Sequence, residues 1–258
     1  MSLSVFFVLV SVTSILFYLI LYLWWTPQKL RLTMVGAMLA AFATSFLLAG
    51  WVNRLIYGAL PQSYYLLDGR LQTLVSGVIG SVTLLGALVA PLLIPRIRAA
   101  IVPENGVTLP LALGMGFAMG HMVSVIRTTI SPEILELIAD IRPEWIIVSA
   151  FFSPVQMTAR YALAASLLSL AWPDPRKCVY AAIAGVAVLA LMTGTRFMGI
   201  VLMVIYWGDP WNSLDGYAAL YQTEIFLMLG LTILGLWGVD RALRRRKSGA
   251  SFDEIGMT

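Results

Sequence analysis

Nearly every ionisable residue of this chain lies between long apolar runs, and that segregation leaves few folds open to it. A helix needs about 20 apolar residues to cross the hydrocarbon of a bilayer. Seven stretches meet that length, at roughly Leu3–Trp25, Leu32–Val52, Leu71–Ile94, Val107–Thr128, Trp145–Trp172, Val179–Trp207 and Leu220–Val239. With 60% hydrophobic and 12% charged residues among 258, the composition departs far from soluble averages of about 45–50% and 25%. A water-soluble core of this kind would leave large apolar patches in solvent. In lipid, backbone polar groups must be satisfied within the chain, which leaves helices as the spanning element. The expectation is an all-α, polytopic transmembrane bundle of about seven spans, forming one domain over residues 1–240 with a basic tail over 241–258. The first run lacks a basic start and a small-residue cleavage site before Trp24 and Trp25, so it reads as a retained span rather than a signal peptide.

Orientation follows from the connections. With the N-terminus outside, the inner side receives Lys29, Arg31, Arg96, Arg98, Arg176, Lys177 and the tail cluster Arg241, Arg244, Arg245, Arg246 and Lys247. The outer side receives Arg54, Arg70, Arg142 and, at a span end, Arg127. Eleven basic residues against four predict an outer N-terminus and a cytoplasmic C-terminus. The tail cluster reads as a surface for anionic lipid, and the net charge of +4 therefore carries no suggestion of nucleic acid. Compactness and minimal loops suggest a bacterial cytoplasmic (inner) membrane. Ser131-Pro132-Glu133 followed by Ile134, Leu137, Ile138 and Ile141 predicts a short interfacial helix near 131–142. Trp207, Trp211, Tyr217 and Tyr221 flank the last two spans as interfacial aromatics do.

Charge inside a span requires a partner or a watery cavity, so the few ionisable residues there are the candidates for function. His121, the sole histidine, and Arg160 fall near mid-membrane; Arg196 falls toward the outer side, and Glu224 about a turn inside the outer boundary. Gln156 stands one turn before Arg160. One carboxylate against two or three arginines leaves a positive surplus, which suits a pocket for a lipid phosphate or a carboxylate. The opposing reading has the arginines snorkelling or bonding to carbonyls freed near Pro154. Gly114, Gly116 and Gly120 are expected to pack helices, since the Gly116–Gly120 spacing lets backbones approach closely. No cofactor or metal is expected: Cys178 is alone, and His121 has no ligand partner within its helix. Ser124 lacks a visible base and acid, so no catalytic residue is assigned.

The segment Gly114-Met115-Gly116-Phe117-Ala118-Met119-Gly120-His121 resembles the glycine-rich segment of the YhfC-type intramembrane protease family, related to the CAAX-protease fold, with His121 at the place of the family's glutamate. The span Val155 to Leu168 is similar to a family helix that carries a histidine, whose matching place is near Ala162. The run from Ser76 to Leu93, a basic loop and the glycine-rich helix follow the family's order. The resemblance covers roughly residues 71–240. Where the family has paired glutamates this chain has Gly80, Ser81, Val82 and Thr83, and the later histidines are missing. The resemblance therefore implies the fold without the active site, a pseudoenzyme.

The expected function is a non-enzymatic integral membrane protein, binding lipid or a partner as a subunit of a membrane complex. One alternative is a transporter or channel for a small anionic solute through His121, Arg160, Arg196 and Glu224, although no inverted repeat is visible. A second alternative is an intramembrane hydrolase, for which His121 and Glu224 offer no complete route.

Overall fold

The computed structural model describes residues 3–66, 69–102, 105–129, 143–171, 174–189 and 226–245, and all the regular structure among them is helical. Helix α1 spans Leu3–Trp25. A 3-10 turn at Gln28–Leu30 leads into α2, Arg31–Ala43, which runs through a π-helical turn at Thr44–Ala49 into α3, Gly50–Gly58. After the one-turn α4, Gln62–Tyr65, comes α5, Gly69–Val89. A second 3-10 turn, Ala90–Leu93, and the one-turn α6, Pro95–Arg98, connect it to α7, Thr108–Thr129. Then follow α8, Pro143–Ala171, α9 over residues 175–189, and α10, Phe226–Arg245. The predicted interfacial helix at 131–142 and the aromatics Trp207, Trp211, Tyr217 and Tyr221 lie outside the described residues.

Three helices among the described residues are long and apolar enough to cross a membrane: Val5–Trp25, Gln28–Leu47 and Phe226–Arg245. Their surfaces are inverted relative to a soluble protein. On α1, Ile20 and Trp24 are 65% and 79% exposed, whereas Ser11 and Ser14 are fully buried. The chain turns small polar side chains inward and large apolar ones outward, the arrangement that lipid solvation selects.

Helix α7 forms the centre. It packs most extensively on α8 and then on α2, and buries Leu109, Ala112, Leu113, Phe117, Ala118 and Met122. Contact is backbone to backbone. A Cβ on Gly116 would overlap the Met38 carbonyl of α2, and one on Gly120 would lie 2.8 Å from Phe42 O and 2.7 Å from the Ser45 Cβ. On the opposite side a Cβ on Gly114 would lie 2.6 Å from the amide nitrogen of Ala162 on α8. Helix α9 packs Gly185 against Leu85 of α5 and Ala164 of α8. Helix α10 covers Ala159, Ala162 and Leu163 of α8 with Gly235 and Leu236.

Buried hydroxyls tie these helices through carbonyls. Ser45 Oγ donates to Phe117 O at 2.9 Å, and Tyr22 Oη to Thr108 O at 3.0 Å. Pro154 lies inside α8 and lacks the N–H that would bond the Ala150 carbonyl. Beside that gap, Ser14 Oγ of α1 donates to Phe151 O at 2.6 Å.

Two details depart from a plain row of spans. The second apolar run is broken by its π turn, where Ser45 reaches α7. The third run leaves α-helical geometry after Val89, because Pro91 and Pro95 cannot supply the amide bonds that would continue it. Helix α10 also runs on to Arg245, so Arg241, Arg244 and Arg245 of the basic cluster stand on a helix; Arg246 and Lys247 lie outside the described residues.

Gly116→Ala is expected to destabilise the purified protein by about 1–3 kcal/mol in thermal unfolding, since the overlap is with backbone. Gly36→Ala meets nothing within 4 Å and should instead gain about 0.5–1 kcal/mol. At the start of α9, Asp174 accepts from the amides of Arg176 and Lys177 and pairs with the Lys177 ammonium at 3.3 Å. The Lys177 hydrogen bond, with these amides, holds its carboxyl below the ordinary value of 3.8. A lowered pKa stabilises the folded form above the ordinary value, and the effect is lost as pH falls through the folded one. Amide exchange at Arg176 and Lys177 should therefore accelerate on acidification relative to Asp174→Asn, which keeps the acceptor but does not titrate.

Candidate functional site

The candidates that the structure brings together sit at the α7–α8 contact, where Gly114 lets the two helices touch. Phe117 and His121 are one turn apart on α7 and present their rings to the same neighbour, Tyr161 of α8. Tyr161 is fully buried. Its ring meets Phe117 edge-on at 4.7 Å between centroids, and the His121 ring lies 6.4 Å away. The guanidinium carbon of Arg160 lies 5.4 Å from the centroid of the Tyr161 ring. A cation over an aromatic face is held by the ring quadrupole, by about 0.5–1 kcal/mol where exposed and about 2 where desolvated.

Gln156, one turn earlier on α8, is buried at 5% exposure, and His121 and Arg160 are half-buried. Their neighbours along the two helices include buried apolar or small residues of the core, Phe117 and Ala118 on α7 and Met157 and Ala164 on α8. Ser45 bonds the Phe117 carbonyl, one turn before His121, and so fixes the α7 backbone at this level.

Two donors here have no acceptor. Arg160 Nε and Tyr161 Oη are both buried, and neither finds a hydrogen-bond partner among the described residues. Leaving a buried donor unmade costs about 1–3 kcal/mol, and more when the group is charged. Two on consecutive residues in an apolar surround is an expensive arrangement without an acceptor from elsewhere. A third such atom, Ser11 Oγ, belongs to α1.

Arg196 and Glu224 lie outside the described residues. Tyr161 was not among the sequence candidates, although a tyrosine beside a mid-span arginine was a readable signal, because a buried phenol usually needs a partner. Among the described residues no three His, Cys, Asp or Glu side chains converge on a common centre. Ala162 is fully buried, with its Cβ 2.9 Å from where a Cβ of Gly114 would lie. A larger side chain there would force α7 and α8 apart.

Because its hydroxyl has no partner to lose among the described residues, Tyr161→Phe is expected to leave the stability of the delipidated protein unchanged or slightly raised. Ser45→Ala, which removes a made bond, should lower it by about 0.6–1.7 kcal/mol under the same thermal assay. No family model matches the chain, and neither a curated protein nor a solved structure matches it.

Proposed function

We propose that this chain is a seven-span protein of a bacterial cytoplasmic membrane, N-terminus outside, whose interior binds an anionic lipid headgroup and does not act on it chemically. The observation that carries this reading is the pair of unpartnered buried donors, Arg160 Nε and Tyr161 Oη. A phosphate oxygen would accept from both. Guanidinium donors suit phosphate because they are planar, permanently charged and less strongly hydrated than an ammonium. The Tyr161 ring lies beside the guanidinium and is itself buried against Phe117, and such an apolar surround strengthens a charge-assisted bond. His121, whose ring lies 6.4 Å from that of Tyr161, and Gln156, buried one turn before Arg160, are the polar side chains we assign to headgroup preference.

Two sequence features support the membrane orientation: the bias of eleven basic residues to one side and the basic end of α10. The reading also fits a scaffold relative of YhfC-type proteases that has given its interior to binding. On it, Ala162 and Gly114 use for helix contact the space that a catalytic side chain would occupy.

The test is lipid extraction and native mass spectrometry of protein purified in a mild detergent. Wild type should carry about one anionic phospholipid per chain. Arg160→Gln should retain at least tenfold less, and Tyr161→Phe severalfold less, while Gly36→Ala, at an open position on α2, stays loaded. A wild-type protein that emerges lipid-free, or an Arg160→Gln protein loaded like wild type, overturns the proposal. A co-purifying polypeptide lost with Arg160→Gln would replace the lipid by a partner's carboxylate.

A further inference from the structure

The loop between α5 and α7 is built rather than slack. Pro91, Leu92, Ile97 and Ala100 are buried, and Asn105 Nδ2 donates to Ala100 O at 2.7 Å. The 3-10 turn and α6 both pack on α2, the helix that begins at Arg31. They set Leu93 and the Pro95–Arg98 turn against the helix that follows Lys29 and opens with Arg31 and Leu32, more than 60 residues earlier in the chain. Outward they show Leu32 at 86% and Leu93 at 77% exposure, with Lys29, Arg31, Arg96 and Arg98 also exposed.

The four cations differ from others on the same side of the chain. Lys177 is paired with Asp174 at 3.3 Å and Arg244 with Asp240 at 2.7 Å, so the protein supplies a counter-charge for each. Lys29, Arg31, Arg96 and Arg98 make no ion pair among the described residues. Arg31 Nε donates to the Thr26 carbonyl at 3.1 Å, which orients the side chain but leaves its charge unneutralised. A surface that combines cations without counter-charge and protruding leucines matches the boundary where headgroup phosphates meet acyl chains.

We propose that Lys29, Arg31, Arg96 and Arg98, held together by the packing of α6 on α2, form a site for anionic phospholipid headgroups of the surrounding bilayer, with Leu32 and Leu93 seated at the top of the acyl region. This surface is separate from the interior donors on α8 and exchanges with bulk lipid, so it does not depend on a lipid that survives purification.

The experiment is electron spin resonance of the reconstituted protein with spin-labelled phosphatidylglycerol or phosphatidylcholine, comparing the motionally restricted fraction. Wild type should prefer phosphatidylglycerol severalfold at low salt, and 1 M salt should largely abolish that preference. Arg96→Gln combined with Arg98→Gln should bring the two lipids close to parity, since two of the four cations that favour the anionic headgroup are lost. Arg96→Lys with Arg98→Lys keeps the charge and should keep the preference, which separates loss of the site from misfolding. Lys177→Gln, whose cation already has a partner, should leave it unmoved. Equal association of the two lipids with wild type, a preference untouched by the glutamine pair, or an equal loss in Lys177→Gln would each overturn the proposal.

Discussion

The approach of α7 to α2 and α8 at bare backbone is the contact on which the rest of this bundle depends. In lipid there is no solvent drive to push apolar helices together, so association comes from close packing and from the few hydrogen bonds that can be made. Gly116 lies against the Met38 carbonyl and Gly114 against the Ala162 amide, with no side chain intervening. Only at that separation can Ser45 reach the Phe117 carbonyl, and only then do Phe117 and His121 close on Tyr161. The glycines set the distance, and the polar contacts follow from it.

The same closeness explains why the interior is poor in chemistry yet not inert. Most buried hydroxyls find a carbonyl one turn away or on the next helix: Thr158 on Pro154, Ser169 on Ala165, Ser14 on Phe151. Against that background, Arg160 Nε and Tyr161 Oη stand out as donors that the packing places beyond any protein acceptor among the described residues. A bound headgroup would satisfy both without any catalytic group. The exposed ends of the helices show a parallel contrast, where Asp174 and Asp240 neutralise their own neighbours while the exposed cations of α2 and α6 make no ion pair among the described residues.

Much of the helical layout was legible in the chain because hydropathy and length are properties of single segments. The first run, read as Leu3–Trp25, is α1, and the run read as Val107–Thr128 is α7, Thr108–Thr129. Local chemistry that needs a partner was harder to read. The π turn at Thr44–Ala49 carries no sequence mark of its own, and its use is clear only when Ser45 is seen beside Gly120. Arg160 and Gln156 were visible as polar residues in an apolar span. Tyrosine in membrane helices is commonly interfacial, so the burial of Tyr161 against the α7 rings becomes clear only with the neighbouring helix in place.

By itself the sequence determined that the backbone must be helical and that large apolar side chains must face a non-aqueous surround, because both follow from the free energy of polar groups in hydrocarbon. It also marked which glycines could allow close contact. Which helix each glycine touches, which donors are left without an acceptor among the described residues, and that α6 packs on α2 were decided by tertiary packing alone. Those outcomes depend on distances between segments far apart in the chain, and no run of neighbouring residues encodes such a distance.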